Sequence, residues 1–87
     1  MTALPQILVV DDNATNVKLL TKLLAVQDYE VSTADSGKAA LEMIEQAAPY
    51  LVLLDVIMPE MSGYEVCRAI RANPKTRLLP VIMVTAL

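Results

Sequence analysis

Three short apolar runs and one alternating run, separated by three helix-periodic segments, leave this chain few architectures to choose from. "QILVV" at residues 6–10, "YLVLL" at 50–54 and "PVIMVTAL" at 80–87 are almost wholly aliphatic. Runs of this kind fit strands buried on both faces. "YEVSTA", residues 29–34, differs, because Val31 and Ala34 stand among polar neighbours as in a half-exposed strand. The segments between them read as helices. "ATNVKLLTKLLAVQ" places Val17, Leu20, Leu23 and Leu24 on one side, with Asn13 or Thr15 available as cap. "SGKAALEMIEQAAP" starts at Ser36, ends before Pro49 and offers Ala40, Leu41, Ile44 and Ala48 for burial. "SGYEVCRAIRANP" carries Ser62 and Glu65 at capping-box spacing, buries Val66, Ala69 and Ile70, and stops before Pro74.

The order β-α-β-α-β-α-β predicts an α/β fold with helices on both faces of a parallel sheet. The half-polar second strand belongs at an edge and the apolar strands inside, which gives strand order 2-1-3-4. Right-handed crossovers then carry the chain outward to strand two and back past strand one to strand three. The reversal opens a crevice at the carboxyl ends of strands one and three, where open α/β sheets take ligands. Asp11 and Asp12 end the first strand and Asp55 ends the third.

Three carboxylates therefore converge. Each has a plain structural use: Asp11 or Asp12 as a helix cap, Asp55 in a turn. Together they are costly, because two carboxylates ~5 Å apart repel by roughly 3 kcal/mol at an effective dielectric of ~20. No Lys or Arg adjoins them in sequence. Oxygen ligands of this type suit a hard cation, and Mg²⁺ fits better than Ca²⁺, since EF-hand spacing is absent. A carboxylate beside Mg²⁺ can attack phosphorus to give an aspartyl-phosphate.

Composition removes other chemistries. Among 87 residues there is no histidine, so a Ser-His-Asp triad and a His-ligated metal are excluded. The single cysteine, Cys67, excludes an internal disulfide and a Cys-based zinc site. Net charge is −3 and the basic residues are scattered, so nothing points to nucleic acid. "MTALPQ" is not a signal peptide and no run has the length of a membrane span, so a cytoplasmic protein is expected. Met58, Met61 and Met83 read as packing or loop residues.

"ILVVDDNATN", "LLDVIMPEMSGYEV" and "PVIMVTA", taken in order, resemble the three signature blocks of response regulator receiver domains. The resemblance covers nearly the whole chain, and in finer detail it is to receivers that precede diguanylate cyclase domains. It implies a flavodoxin-like, three-layer fold and two-component phosphorelay signalling rather than enzyme turnover. Asp55 would be the phosphoacceptor; Asp11, Asp12, Asp55 and the backbone carbonyl of Ile57 would hold Mg²⁺. Thr85 would be the switch hydroxyl, and Pro59 and Gly63 would shape the loop after the acceptor. A sensor histidine kinase or phosphotransfer protein would donate the phosphoryl group. An aspartate-nucleophile phosphatase fits less well, because Ile57 occupies the place of its second aspartate.

A complete receiver continues with a helix, a fifth strand and a last helix, including a lysine that contacts the phosphoryl group. Residues 1–87 are therefore expected to form a receiver domain cut short after its fourth strand, with no residue matching that lysine by motif. The apolar fourth strand and one sheet face would lack cover, so a homodimer burying one of them is expected. The alternative function is a dimerisation or protein-interaction module, impaired in phosphorylation, that keeps the receiver skeleton.

Overall fold

A computed structural model describes residues 4–84 of the chain. Its elements are β1 (Gln6–Val10), α1 (Ala14–Val26), β2 (Glu30–Ala34), α2 (Gly37–Gln46), β3 (Leu51–Asp55), α3 (Gly63–Ala72) and β4 (Val81–Val84). All strand pairings are parallel, and the sheet order is β2-β1-β3-β4. The expected order is thus the observed one, with half-polar β2 at an edge. Among the described residues β4 is the last element.

The register explains the three layers. Leu8 pairs with Val52, and Val10 with Leu54, so these four point to one face. On that face they meet Ala40 and Ile44 of α2 and Val66 and Ile70 of α3, all buried in one apolar cluster. Each such aliphatic side chain contributes on the order of 1.5–3 kcal/mol when fully buried. Met58 lies inside the cluster, with Met61, Met83 and Cys67 packed against it. The opposite face carries Ile7 and Val9, both buried, with α1 resting on β1 and β2. Leu51 and Leu53 share that face but are only half-buried, and Ile82, in register with Leu53, is 51% exposed.

Helix ends follow local chemistry. The Asn13 side chain accepts from the backbone N–H of Thr15 and Asn16, so Asn13, not Thr15, caps α1. Ser36 caps α2 through the N–H of Ala39. Ser62 and Glu65 form the complete reciprocal capping box at α3.

Three expected core positions lie outside the core. Leu23 is 57% exposed, because α1 carries two apolar stripes and packs with Val17, Leu20 and Leu24 inward. At 3.6 residues per turn Leu23 sits with Leu19 and Val26 on the outer stripe. Ala69 is exposed because the buried stripe of α3 runs through Gly63, Val66 and Ile70, with Cys67 on its inner flank. Ala48 is exposed because α2 ends at Gln46, two residues earlier.

Candidate functional site

Parallel pairing of β1 with β3 assembles the site. The register ends at Val10 opposite Leu54, and one residue further on Asp11 faces Asp55. The backbone N–H of Asp11 also donates to Ala34 O of β2 at 3.1 Å, so its position is fixed from both sides. Asp12, next along the chain, turns outward and is exposed. One carboxylate oxygen from each of Asp11, Asp12 and Asp55 lies within 4.8 Å of the others. The convergence expected at the switch point is present.

Asp11 and Asp55 are buried, at 5% and 7% exposure. Burial pushes the Asp55 carboxyl above its ordinary value, and the neighbouring charge of Asp11 raises it further. A hydrogen bond from the Ile57 N–H acts the other way, while Asp12 adds a smaller push upward. The ionised form of Asp55 is thus disfavoured by its surroundings. Its donors are carboxylate oxygens, two buried and one open to water, which fits a hard divalent cation that keeps part of its hydration shell.

The loop after β3 is tightly wound. Ile57 donates its N–H to Asp55 Oδ1 at 3.4 Å, and its side chain is 77% exposed. Pro59 O accepts from Met61 N–H at 2.7 Å across Glu60, whose φ is +68°. A non-glycine residue in that region is uncommon, and nothing in the residue pattern signals it. Gly63 donates its N–H to Val56 O at 2.9 Å. A Cβ on Gly63 would run into the backbone of Asp55 and Val56, so the requirement there is for close approach rather than unusual φ. Pro59 and Gly63 stand at the two ends of this turn. Thr85 lies outside the described residues.

Two features escape a linear reading. Lys18 and Lys22 are well separated from the acids in sequence, yet they line a cleft of about 640 Å³ together with Asp11, Asp12 and Asp35. Helical spacing from Ala14 through Lys18 to Lys22 is the signal that could have placed them there. The second feature is a hydrogen-bond bracket on Asp11. Its Oδ1 accepts from Asn13 N–H at 2.8 Å and its Oδ2 from Asn16 Nδ2 at 3.3 Å.

Comparison with known proteins gives a consistent result. The family model described as "Response regulator receiver domain" matches residues 7–87. Response regulator PleD of Caulobacter vibrioides is 50% identical over 82 residues, covering 94% of this chain and 18% of that protein. The chain thus spans under a fifth of that relative. Among solved structures, the N-terminal domain of a response regulator receiver protein from Methanoculleus marisnigri is 42% identical with a TM-score of 0.92, covering 97% of this chain and 68% of the other. Response regulator protein TrrA from Thermotoga maritima, solved in complex with Mg²⁺ and BeF, is 38% identical with a TM-score of 0.90, covering 97% of this chain and 71% of the other.

Proposed function

The chain belongs to the response regulator receiver domain family, and from that premise we propose that it accepts a phosphoryl group on Asp55 with Mg²⁺ held beside it. The observation that carries this reading is the meeting of Asp55 with Asp11 and Asp12 at the carboxyl ends of β1 and β3. Asp11, Asp12 and Asp55 would hold Mg²⁺, with the Ile57 carbonyl as a backbone ligand. The bound ion would supply positive charge against the carboxylates and against the transferring phosphoryl group. TrrA, whose solved complex contains Mg²⁺, supports that choice of ion.

The chain's own part is nucleophilic attack and placement. An Asp55 carboxylate oxygen forms a bond to phosphorus as the bond from phosphorus to the donor's leaving atom breaks. The Asp55 carboxyl is raised in pKa without the cation, so a cation that favours its ionised form also readies it for attack. The β3–α3 loop follows the acceptor directly, and Ile57 within it is exposed. Thr85 is assigned as the hydroxyl that responds to the modification. The donor would be a sensor histidine kinase or phosphotransfer protein, and a cytoplasmic location goes with that reading. A second copy of the chain is proposed to cover the β4 edge or the half-bare face of Leu51, Leu53 and Ile82.

Incubation with Mg²⁺ and a small phosphodonor, followed by intact mass measurement, tests the acceptor. One labile phosphoryl adduct is expected, lost in Asp55→Asn and absent with EDTA. An adduct that survives Asp55→Asn would reassign the acceptor.

A further inference from the structure

Asp11 follows the last residue of β1, and an aspartate there has two free side-chain torsions. In this chain both of its oxygens are held before any cation arrives. Oδ1 accepts from the backbone N–H of Asn13, and Oδ2 accepts from the side-chain amide of Asn16. Asn16 stands in the first turn of α1, and its own N–H donates to Asn13 Oδ1 at 3.1 Å. Asn13 and Asn16 are therefore one connected unit: Asn13 caps the helix, the cap fixes the first turn, and the first turn aims the Asn16 amide at Asp11.

We infer that Asn16 is a positioning residue for the acidic site, setting the plane of the Asp11 carboxylate through Nδ2 and so raising affinity for the divalent cation. The inference deepens the Mg²⁺ reading above and rests on it. A carboxylate offers about four lone-pair sites. The Asn13 and Asn16 donors occupy one site on each oxygen and leave one on each for a cation. Holding the plane removes the torsional ordering that binding would otherwise require. The two donors also spread the negative charge of a residue that is buried, at 5% exposure. Outer hydrogen-bond partners of metal ligands act in this way in other sites, and losing one costs roughly 10–100-fold in affinity. The Asn16 contact, at 3.3 Å, is long, which places its loss near the lower end of that range.

Asn16→Ala separates positioning from folding, because alanine is the best helix former and the Asn13 cap, which accepts from Thr15 and Asn16, engages Asn16 through its backbone N–H and not its side chain. The probe is Mg²⁺ alone, titrated into ¹⁵N-labelled protein while the Asn13 backbone amide and the Asn16 side-chain amide are followed. Wild type is expected to bind Mg²⁺ with both signals shifting along one isotherm. Asn16→Ala should bind roughly tenfold more weakly, with its thermal midpoint in EDTA no lower than that of wild type. Asp11→Ala should move the Asn16 side-chain signal to the position of a free amide without Mg²⁺. Unchanged affinity in Asn16→Ala with normal binding by wild type would overturn the role of Asn16 and leave the metal site standing. No Mg²⁺ binding by wild type would overturn both. An affinity loss matched by a lower midpoint in EDTA would make Asn16 a folding residue and overturn the inference.

Discussion

Asp55 is placed where its ionised form is disfavoured, by burial first and by the Asp11 charge second. The folded protein therefore holds the Asp55 proton more tightly than the unfolded chain does. Stability from this group is full below the ordinary carboxylate pKa of about 3.9 and is lost as pH rises through the raised folded value. Asp55→Asn cannot titrate. In EDTA the variant should equal wild type at low pH and become the more stable protein as pH rises toward neutral, read by chemical denaturation across pH. Saturating Mg²⁺ should close the gap, since a ligand bound only by the folded wild type stabilises it by mass action. A gap that shrinks with rising pH in EDTA would contradict the placement of the charge.

At the scale of elements, the β3–α3 connection is the most constrained segment. Gly63 lies against the backbone of Asp55 and Val56, where neither neighbour can yield easily. Gly63→Ala should destabilise by about 1–3 kcal/mol and displace the Asp55 backbone, weakening Mg²⁺ binding as well. Glu60 presents the reverse case, since its φ of +68° is one that glycine adopts without cost. Glu60→Gly should stabilise by up to about 1 kcal/mol, the relief of the left-handed strain less the entropy of glycine. Urea unfolding of the two variants checks both, and a gain for the first or a clear loss for the second would be the wrong sign. The helix starts at Ser36 and Ser62 were legible, and that of α1 was narrowed to Asn13 or Thr15, because each cap is a local bond within three residues. Glu60 was not, because its φ is imposed by a loop tied at both ends.

For the whole molecule, the two faces of the sheet differ. Leu8, Val10, Val52 and Leu54 are sealed under α2 and α3. On the other side α1 covers β1 and β2, while Ile82 and the outer stripe of Leu19, Leu23 and Val26 remain exposed. The patch that bears on self-association is the sheet face beside β4, where Ile82 is in register with half-buried Leu53. The 87-residue chain should self-associate in sedimentation experiments as concentration rises, and Ile82→Lys should shift it toward monomer. A chain that stays monomeric throughout would remove the proposed homodimer.

The sequence by itself determined which segments are strands and helices, that half-polar β2 stands at one edge of the sheet, and which acids end the first and third strands. These are matters of local periodicity, capping and polarity, and a linear reading contains them. Tertiary structure alone decided which of the two apolar stripes on α1 faces the sheet, since both have helical spacing and only the docked geometry distinguishes Leu24 from Leu23. It also decided that Lys18 and Lys22 share a cleft with Asp11 and Asp12, and that Asn16 reaches back five residues to Asp11. Those relations depend on the angle at which α1 leaves β1, which is set by the packing of the helix on the sheet rather than by any residue taken alone.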